Sequence, residues 1–222
     1  MLSCNNVSKT YATERGRVEA VKGIELNLPA GGLTALVGPS GSGKSSLLAM
    51  VGGLSRPTGG TIRVGDVDIW ALPDERLAHF RGCRIGFVFQ FQSLLPTLRI
   101  IDNVAMPALL ARGRESSSIY RRASELLDQL GIPQHLDAYP AEISAGEQRR
   151  AAIARALINA PALVLADEPT SDLDAVTEDE ILEYFRELAR TGSTTLILVT
   201  HNLRLAEQAD RVVHIAGGRL AS

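Results

Sequence analysis

Lys44 and Ser45 follow directly on Gly38, Gly41 and Gly43, and this grouping of residue types points to phosphate chemistry. The run Gly38-Pro39-Ser40-Gly41-Ser42-Gly43-Lys44-Ser45-Ser46 fills every fixed position of G-x-x-x-x-G-K-[ST]. Three glycines let the chain curl tightly, so successive backbone N–H groups converge on one anion. A helix starting at Lys44 adds the partial positive charge of its N-terminus. The Lys44 ammonium reaches the β- and γ-phosphates, and the Ser45 hydroxyl is placed to hold Mg²⁺. The pattern predicts that residues 38–46 bind a nucleoside triphosphate; the bland alternative is an ordinary glycine-rich turn.

Four further groups make sense beside such a ligand. The apolar run Leu163-Val164-Leu165-Ala166 delivers Asp167 and Glu168 at its carboxyl end. Asp167 is expected to hold Mg²⁺ through water, and Glu168 to orient or deprotonate the attacking water. His201 leaves a second apolar strand and is a hydrogen-bond donor for the transferring group; alone, it would read as structural. His79, His135 and His214 lack that context and are read as structural. Gln90 closes a third strand-like run, where an amide serves as a Mg²⁺ ligand and touches the water, with Gln92 as its rival. Ser144 and Glu147, three residues apart, form a capping box ahead of a long helix. The positive end of that helix is an anion site, although capping alone accounts for the same residues.

Periodicity supplies the frame. Strands are expected at residues 2–7, 18–21, 24–28 and 33–37, a hairpin at 61–64 and 67–70, and a strand at 84–90. Helices are expected at 44–50, 74–81, 101–112, 117–130 and 144–159, with Gly113 and Gly131 as stops. The rest reads as strand 163–166, helix 176–191, strand 194–200, helix 203–208 and a hairpin of 211–215 with 219–221. Alternating strands and helices imply a mostly parallel sheet with ligands at its carboxyl ends, and the early strands an antiparallel side layer. Residues 1–222 read as one domain, with 91–160 a helical insertion between 1–90 and 161–222.

Bulk properties exclude several classes. The 222 residues carry a formal net charge of −2, which gives no field for nucleic acid. Apolar runs are strand-sized, far below a membrane span, and the first residues show no signal-peptide pattern; a cytosolic chain is expected. Cys4 and Cys83 are isolated, without metal spacing, and read as free thiols.

The order and spacing of these groups resemble an ABC-type ATPase, over nearly the whole length. The matching elements are 38–45 (Walker A), Gln90 (Q-loop), 144–148 (signature), 163–168 (Walker B), Ser171-Asp172-Leu173-Asp174 (D-loop) and His201 (switch histidine). The resemblance implies an α/β P-loop NTPase fold with a mostly parallel core sheet, an antiparallel β side layer and an α-helical subdomain. It implies ATP and Mg²⁺ as ligands, with Lys44, Gln90, Glu168 and His201 catalytic and Ser45, Gln90 and Asp167 at the metal. Two copies would pair head-to-tail around two ATP molecules, each loop facing the partner copy's Ser144, Ala145, Gly146 and Glu147. Tyr11 matches the aromatic position that stacks on adenine.

Residues 81–90 and 94–104 look like the lipoprotein-releasing, macrolide-export and cell-division branch. That implies a membrane permease with a large extracytoplasmic domain as partner, and a place on the inner face of the cell membrane. One departure stands out: the signature, usually Leu-Ser-Gly-Gly-Gln, reads Ile143-Ser144-Ala145-Gly146-Glu147. If its third position needs positive φ, Ala145 costs about 1–2 kcal/mol. If that position opens a capped helix, Ala145 costs nothing, and this is the expectation. Among rivals, a soluble chromosome or ribosome machine would need a coiled-coil insert or a second ATPase domain. A kinase or GTPase would need an acceptor site or an Asn/Thr-Lys-x-Asp motif. An ATPase that regulates a cell-division or envelope complex without moving cargo fits the same residues.

Overall fold

The structure, a computed structural model, describes residues 2–14, 16–90, 93–112, 116–171, 173–190, 192 and 194–221. Gln92, Gly113 and Asp172, singled out above, lie outside the described residues.

Two sheets enclose one helix. The first is antiparallel, in the order β2 (Gly16–Leu28), β1 (Leu2–Thr13), β4 (Gly59–Val64), β5 (Val67–Asp68). The second has the order β10 (Arg219–Leu220), β9 (Arg211–Ala216), β3 (Leu33–Val37), β8 (Thr195–Val199), β7 (Leu163–Asp167), β6 (Ile85–Val88). All its neighbours are parallel except the β9–β10 edge pair. Helix α1 (Lys44–Val51) lies between the layers, its Leu47 and Met50 packed with Leu2, Val7 and Ile62 of the side sheet.

The central strands are buried on both faces, which is why they read as continuous apolar runs. Along β7, Leu163 and Leu165 join the core shared with α1, whereas Val164 and Ala166 face the opposite core. That second core packs the sheet against α3 (Ile100–Arg112), α4 (Ser116–Gln129), α5 (Ala145–Leu157) and α6 (Ala175–Arg190). Helices α2 (Asp74–Arg84) and α7 (Leu203–Ala206) complete the chain.

Several boundaries differ from the sequence reading. Residues 18–21 and 24–28 form one strand: Gly23, at φ 60°, sits opposite an irregularity at Asn6 (φ 50°) and makes a bulge rather than a turn. The second strand of the hairpin stops at Asp68, whose carboxylate accepts from the Trp70 N–H at 3.1 Å and starts a 3₁₀ turn, Ile69–Ala71. Helix α2 runs on to Arg84, so β6 spans only Ile85–Val88 and Gln90 lies two residues beyond it, exposed. No helix among the described residues is long and apolar enough to cross a membrane.

Candidate active site

Register alone brings three strand ends level. Val199 pairs with Leu36 on one side and Asp167 on the other. Gly38, Glu168 and His201 each follow within two residues of one of these, so all three emerge at the same edge of the sheet.

The loop after β3 is shaped by close contacts. Gly43 sits at φ 105° where a Cβ would stand 2.3 Å from the Ala20 carbonyl oxygen, and at Gly38 it would stand 2.0 Å from that of Ile215. Backbone bonds stitch the loop to the neighbouring layers: Gly218 N–H donates to Ser42 O at 3.0 Å, and Lys22 N–H to Gly218 O at 2.8 Å. Helix α1 has no side-chain cap and no acidic residue in its first turn, so the positive charge of its N-terminus is unanswered. Lys44, 8% exposed, folds back to donate to the Gly38 and Pro39 carbonyls at 2.8 and 3.0 Å. The Ser42 hydroxyl is buried and has no hydrogen-bond partner among the described residues. A cavity of about 300 Å³ opens here, lined by Tyr11, Ala20 and residues 41–46. Tyr11 is 37% exposed, with its hydroxyl 3.4 Å from Ser46 Oγ and the Lys9 ammonium 5.0 Å from its ring centre. Orphaned donors, a cationic helix end and a folded-back lysine fit an anionic phosphate chain.

Asp167 ends β7 with its carboxylate hydrogen-bonded by the Ser45 hydroxyl. Burial raises its pKa and the Glu168 charge adds to this, while Ser45 and Lys44 pull it down. A desolvated carboxylate beside a hydroxyl is an oxygen donor set that suits a hard divalent cation. Glu168 takes φ 47°, rare for a non-glycine residue and worth about 1–3 kcal/mol of strain. That conformation is held by Glu168 N–H to Val199 O at 2.9 Å and by the Ser171 hydroxyl to Glu168 O at 3.0 Å. Its carboxylate oxygens both lie 2.9 Å from His201 Nδ1; the histidine side chain is 75% exposed and the glutamate 13%.

The expected capping box is present. Ser144 is extended (φ −64°, ψ 162°), its hydroxyl accepts from Glu147 N–H, and the Glu147 carboxylate accepts from Ser144 N–H at 2.8 Å. Ala145 is therefore the first helical residue and is not among the positive-φ residues. Ser144 holds the Glu147 carboxyl below the usual carboxylate range, through its backbone N–H and its hydroxyl, and His135 contributes. Residues 144–147 do not line the cavity at the phosphate loop. Gln90 does not line it either; its carbonyl accepts from Arg149 Nη2 at 2.8 Å.

Three residues make contacts that the sequence reading did not assign. His135, taken as structural, sits with Nε2 2.8 Å from Glu147. Arg149 of α5 holds the Phe89 and Gln90 carbonyls, and Arg155, two turns on, holds the Ser93 carbonyl and hydroxyl. The available signal was that Arg149, Arg150 and Arg155 bracket the buried run Ala151-Ala152-Ile153-Ala154 of α5: a cation on a buried stretch must find polar partners.

Phosphate loop, carboxylate strand end and histidine strand end on one parallel sheet define a P-loop ATPase. The family model described as ABC transporter matches residues 21–171, and the chain belongs to that family. It is 45% identical over 222 residues to the lipoprotein-releasing system ATP-binding protein LolD of Geobacter metallireducens, covering 100% of this chain and 98% of that protein. To LolD of Anaeromyxobacter dehalogenans it is 44% identical, covering 98% and 91%. It also matches the macrolide export ATP-binding/permease protein MacB of Rhodopirellula baltica, at 43% identity over 100% of this chain but 32% of that protein. Among solved structures, the ATP-binding cassette MJ0796, a post-hydrolysis dimer bound to ADP and Pi, superposes with TM-score 0.94 at 35% identity, covering 100% and 97%. The chain is an ABC ATPase.

Proposed function

We propose that two copies of this chain close around two ATP molecules and drive a membrane permease of the lipoprotein-releasing or macrolide-export type. The observation that carries this reading is the split site. The phosphate loop, Asp167, Glu168 and His201 converge, whereas the capped start of α5 does not line the cavity they flank. A second copy supplies what one chain leaves out, in keeping with the relatives' names and the dimeric neighbour.

Residues 38–46, with Pro39 and Ser40 in the bend, wrap the phosphates, and Tyr11 packs on the base. Lys44 leaves the Gly38 and Pro39 carbonyls for the β- and γ-phosphates. Ser45, Asp167 and Gln90 would hold Mg²⁺, which would supply positive charge against the phosphate oxygens. Glu168 takes the proton of the attacking water as its oxygen bonds to the γ-phosphorus and the bridging bond to ADP breaks. His201 stabilises the transferring group. Ser144, Ala145, Gly146 and Glu147 of the second copy close the site. Positioning and charge supply most of phosphoryl-transfer catalysis, so one chain alone is slow.

Helices α3 to α5 act as a helical subdomain that moves with Gln90, because α5 both begins at the cap and holds the Phe89–Gln90 carbonyls through Arg149. A groove of about 680 Å³ opens beside this link and is the surface offered to the permease. The test is affinity purification of the tagged chain from detergent-solubilised membranes of its native cell. Recovery with a multi-spanning permease that bears an external domain supports the reading; recovery without any membrane protein sinks it.

A further inference from the structure

The Ser144 hydroxyl has one hydrogen, and Glu147 takes it. Ser144 Oγ accepts from the Glu147 N–H at 3.3 Å and donates to Glu147 Oε2 at 2.8 Å. The Ser144 N–H reaches the same Oε2 at 2.8 Å. A hydroxyl committed in this way must turn from Oε2 before it can donate to a phosphate. Turning strips a donor from a carboxylate that then stands beside incoming phosphates, and like charges brought together repel. His135 acts on the other oxygen: its Nε2 lies 2.8 Å from Glu147 Oε1, with the two side chains 24% and 29% exposed. The ring stands on a braced support. His135 closes the 3₁₀ turn Pro133–His135, and the chain after it is pinned to the start of α3 by Ile101 N–H to Leu136 O at 3.0 Å and Ile100 N–H to Ala138 O at 2.8 Å. The nearby cations of α5 are engaged elsewhere, Arg149 on the Phe89 and Gln90 carbonyls and Arg150 on the Leu130 carbonyl and Glu180.

We infer that His135 is a positioning residue of the shared site: by holding Glu147 Oε1 it keeps the carboxylate in place while the Ser144 hydroxyl turns to the phosphates bound by the second copy. The inference rests on the paired reading above. Donation from the Nε2–H serves in the neutral ring and in the imidazolium alike, and the imidazolium also offsets the charge of the carboxylate. His135 acts on how readily two copies close, not on the attacking water, so its loss should move KM and leave kcat.

The experiment compares His135→Phe, which keeps a ring without a donor, with His135→Gln, whose amide N–H can stand where Nε2 stands. In the Glu168→Gln chain, light scattering gives the ATP concentration at which half the chains are paired. His135→Phe should raise that concentration about tenfold, as for one lost hydrogen bond to a charged group, and His135→Gln should restore it to within about threefold. In the chain that hydrolyses, His135→Phe should raise the KM for ATP by a similar factor and leave kcat within about twofold. With Glu147→Ala already present, His135→Phe should add no further loss, because the contact it removes is gone. The melting temperature without nucleotide reports whether each variant folds; should His135→Phe fail, His135→Ala takes its place against His135→Gln. An unchanged pairing midpoint in His135→Phe, no rescue by glutamine, or equal losses with and without Glu147 overturns the assignment and leaves the paired reading standing. Should the Glu168→Gln chain stay single at every ATP concentration, the paired reading falls and this inference with it.

Discussion

His201 Nδ1 lies 2.9 Å from both carboxylate oxygens of Glu168, so the two groups proposed to act on water and phosphate hold one another. If Nδ1 donates to an ionised Glu168, a neutral ring has only an acceptor left at Nε2. Donation to the γ-phosphate then needs either the imidazolium or release of Glu168, so nucleotide and carboxylate compete for one ring. Residues that act as a unit lose their effect together. Glu168→Gln and His201→Ala are each expected to lower kcat by roughly 10²–10⁴-fold. The double variant should lose no more than the worse single one, measured by phosphate release; multiplicative losses would show that the two act independently.

Glu168→Gln keeps the shape of the site and removes the proposed base. With ATP and Mg²⁺ it should stay paired if, as proposed, hydrolysis is the step that lets the copies part. Light scattering should report twice the 23.8 kDa of one chain, while the unaltered protein returns to single chains as ATP is consumed. A variant that remains a single chain under saturating ATP would count against the shared site.

Asp167 sets stability against function. Its folded carboxyl sits above the ordinary value of 3.8, chiefly through burial. A raised value means the folded chain binds the proton more tightly than the unfolded one. Stability therefore falls as pH rises from the ordinary value through the raised one, and the penalty persists at every higher pH. Asp167→Asn removes that charge and should raise the melting temperature of the nucleotide-free protein by a few degrees at pH 7, at about 2–4 °C per kcal/mol. The same variant should lose Mg²⁺-dependent hydrolysis. Calorimetry at pH 7 and near pH 4 checks the sign: the gap between the two proteins should shrink in acid.

Much of the site could be read because its residues obey local rules. Lys44 and Ser45 follow a fixed glycine spacing, Asp167 and His201 follow fully apolar runs, and Ser144 with Glu147 obeys the capping pattern. Their convergence lies in strand order, which no local pattern carries: β3 and β7 are far apart in sequence yet both neighbour β8. The misreadings share a cause. The expected break between strands 18–21 and 24–28 falls at Gly23, where glycine at positive φ serves turns and bulges alike. The contacts of His135 and Arg155 have no local signal because their partners, Glu147 and Ser93, are fixed only once α5 packs.

Gly43→Ala tests the loop against its neighbours. The new Cβ would stand 2.3 Å from Ala20 O at a φ of 105°, and backbone on both sides leaves little room to yield. A loss of about 2–4 kcal/mol follows from strain plus clash, read as a melting temperature lower by roughly 5–15 °C. Gly41→Ala is the control: its φ is 75°, but a Cβ there meets nothing within 4 Å, so only strain of about 1–2 kcal/mol remains. Equal losses in the two would mean that contact with β2 contributes nothing to the shape of the loop.

Ala145 occupies the position where the family signature usually has glycine. Because Ser144 is the cap and α5 begins at Ala145, alanine suits the backbone it is given. Restoring glycine should lower stability by about 0.5–1 kcal/mol, since glycine loses more freedom on entering a helix. Hydrolysis by Ala145→Gly should stay within a few-fold of the unaltered protein, because the Ser144 hydroxyl and the helix N-terminus keep their places. A hundredfold rise in ATPase activity would overturn this, showing that the Ala145 methyl group obstructs closure on the second copy's nucleotide. A melting temperature lower by a few degrees with near-constant kcat is the expected pair of readings, and together they separate a helix effect from a steric one.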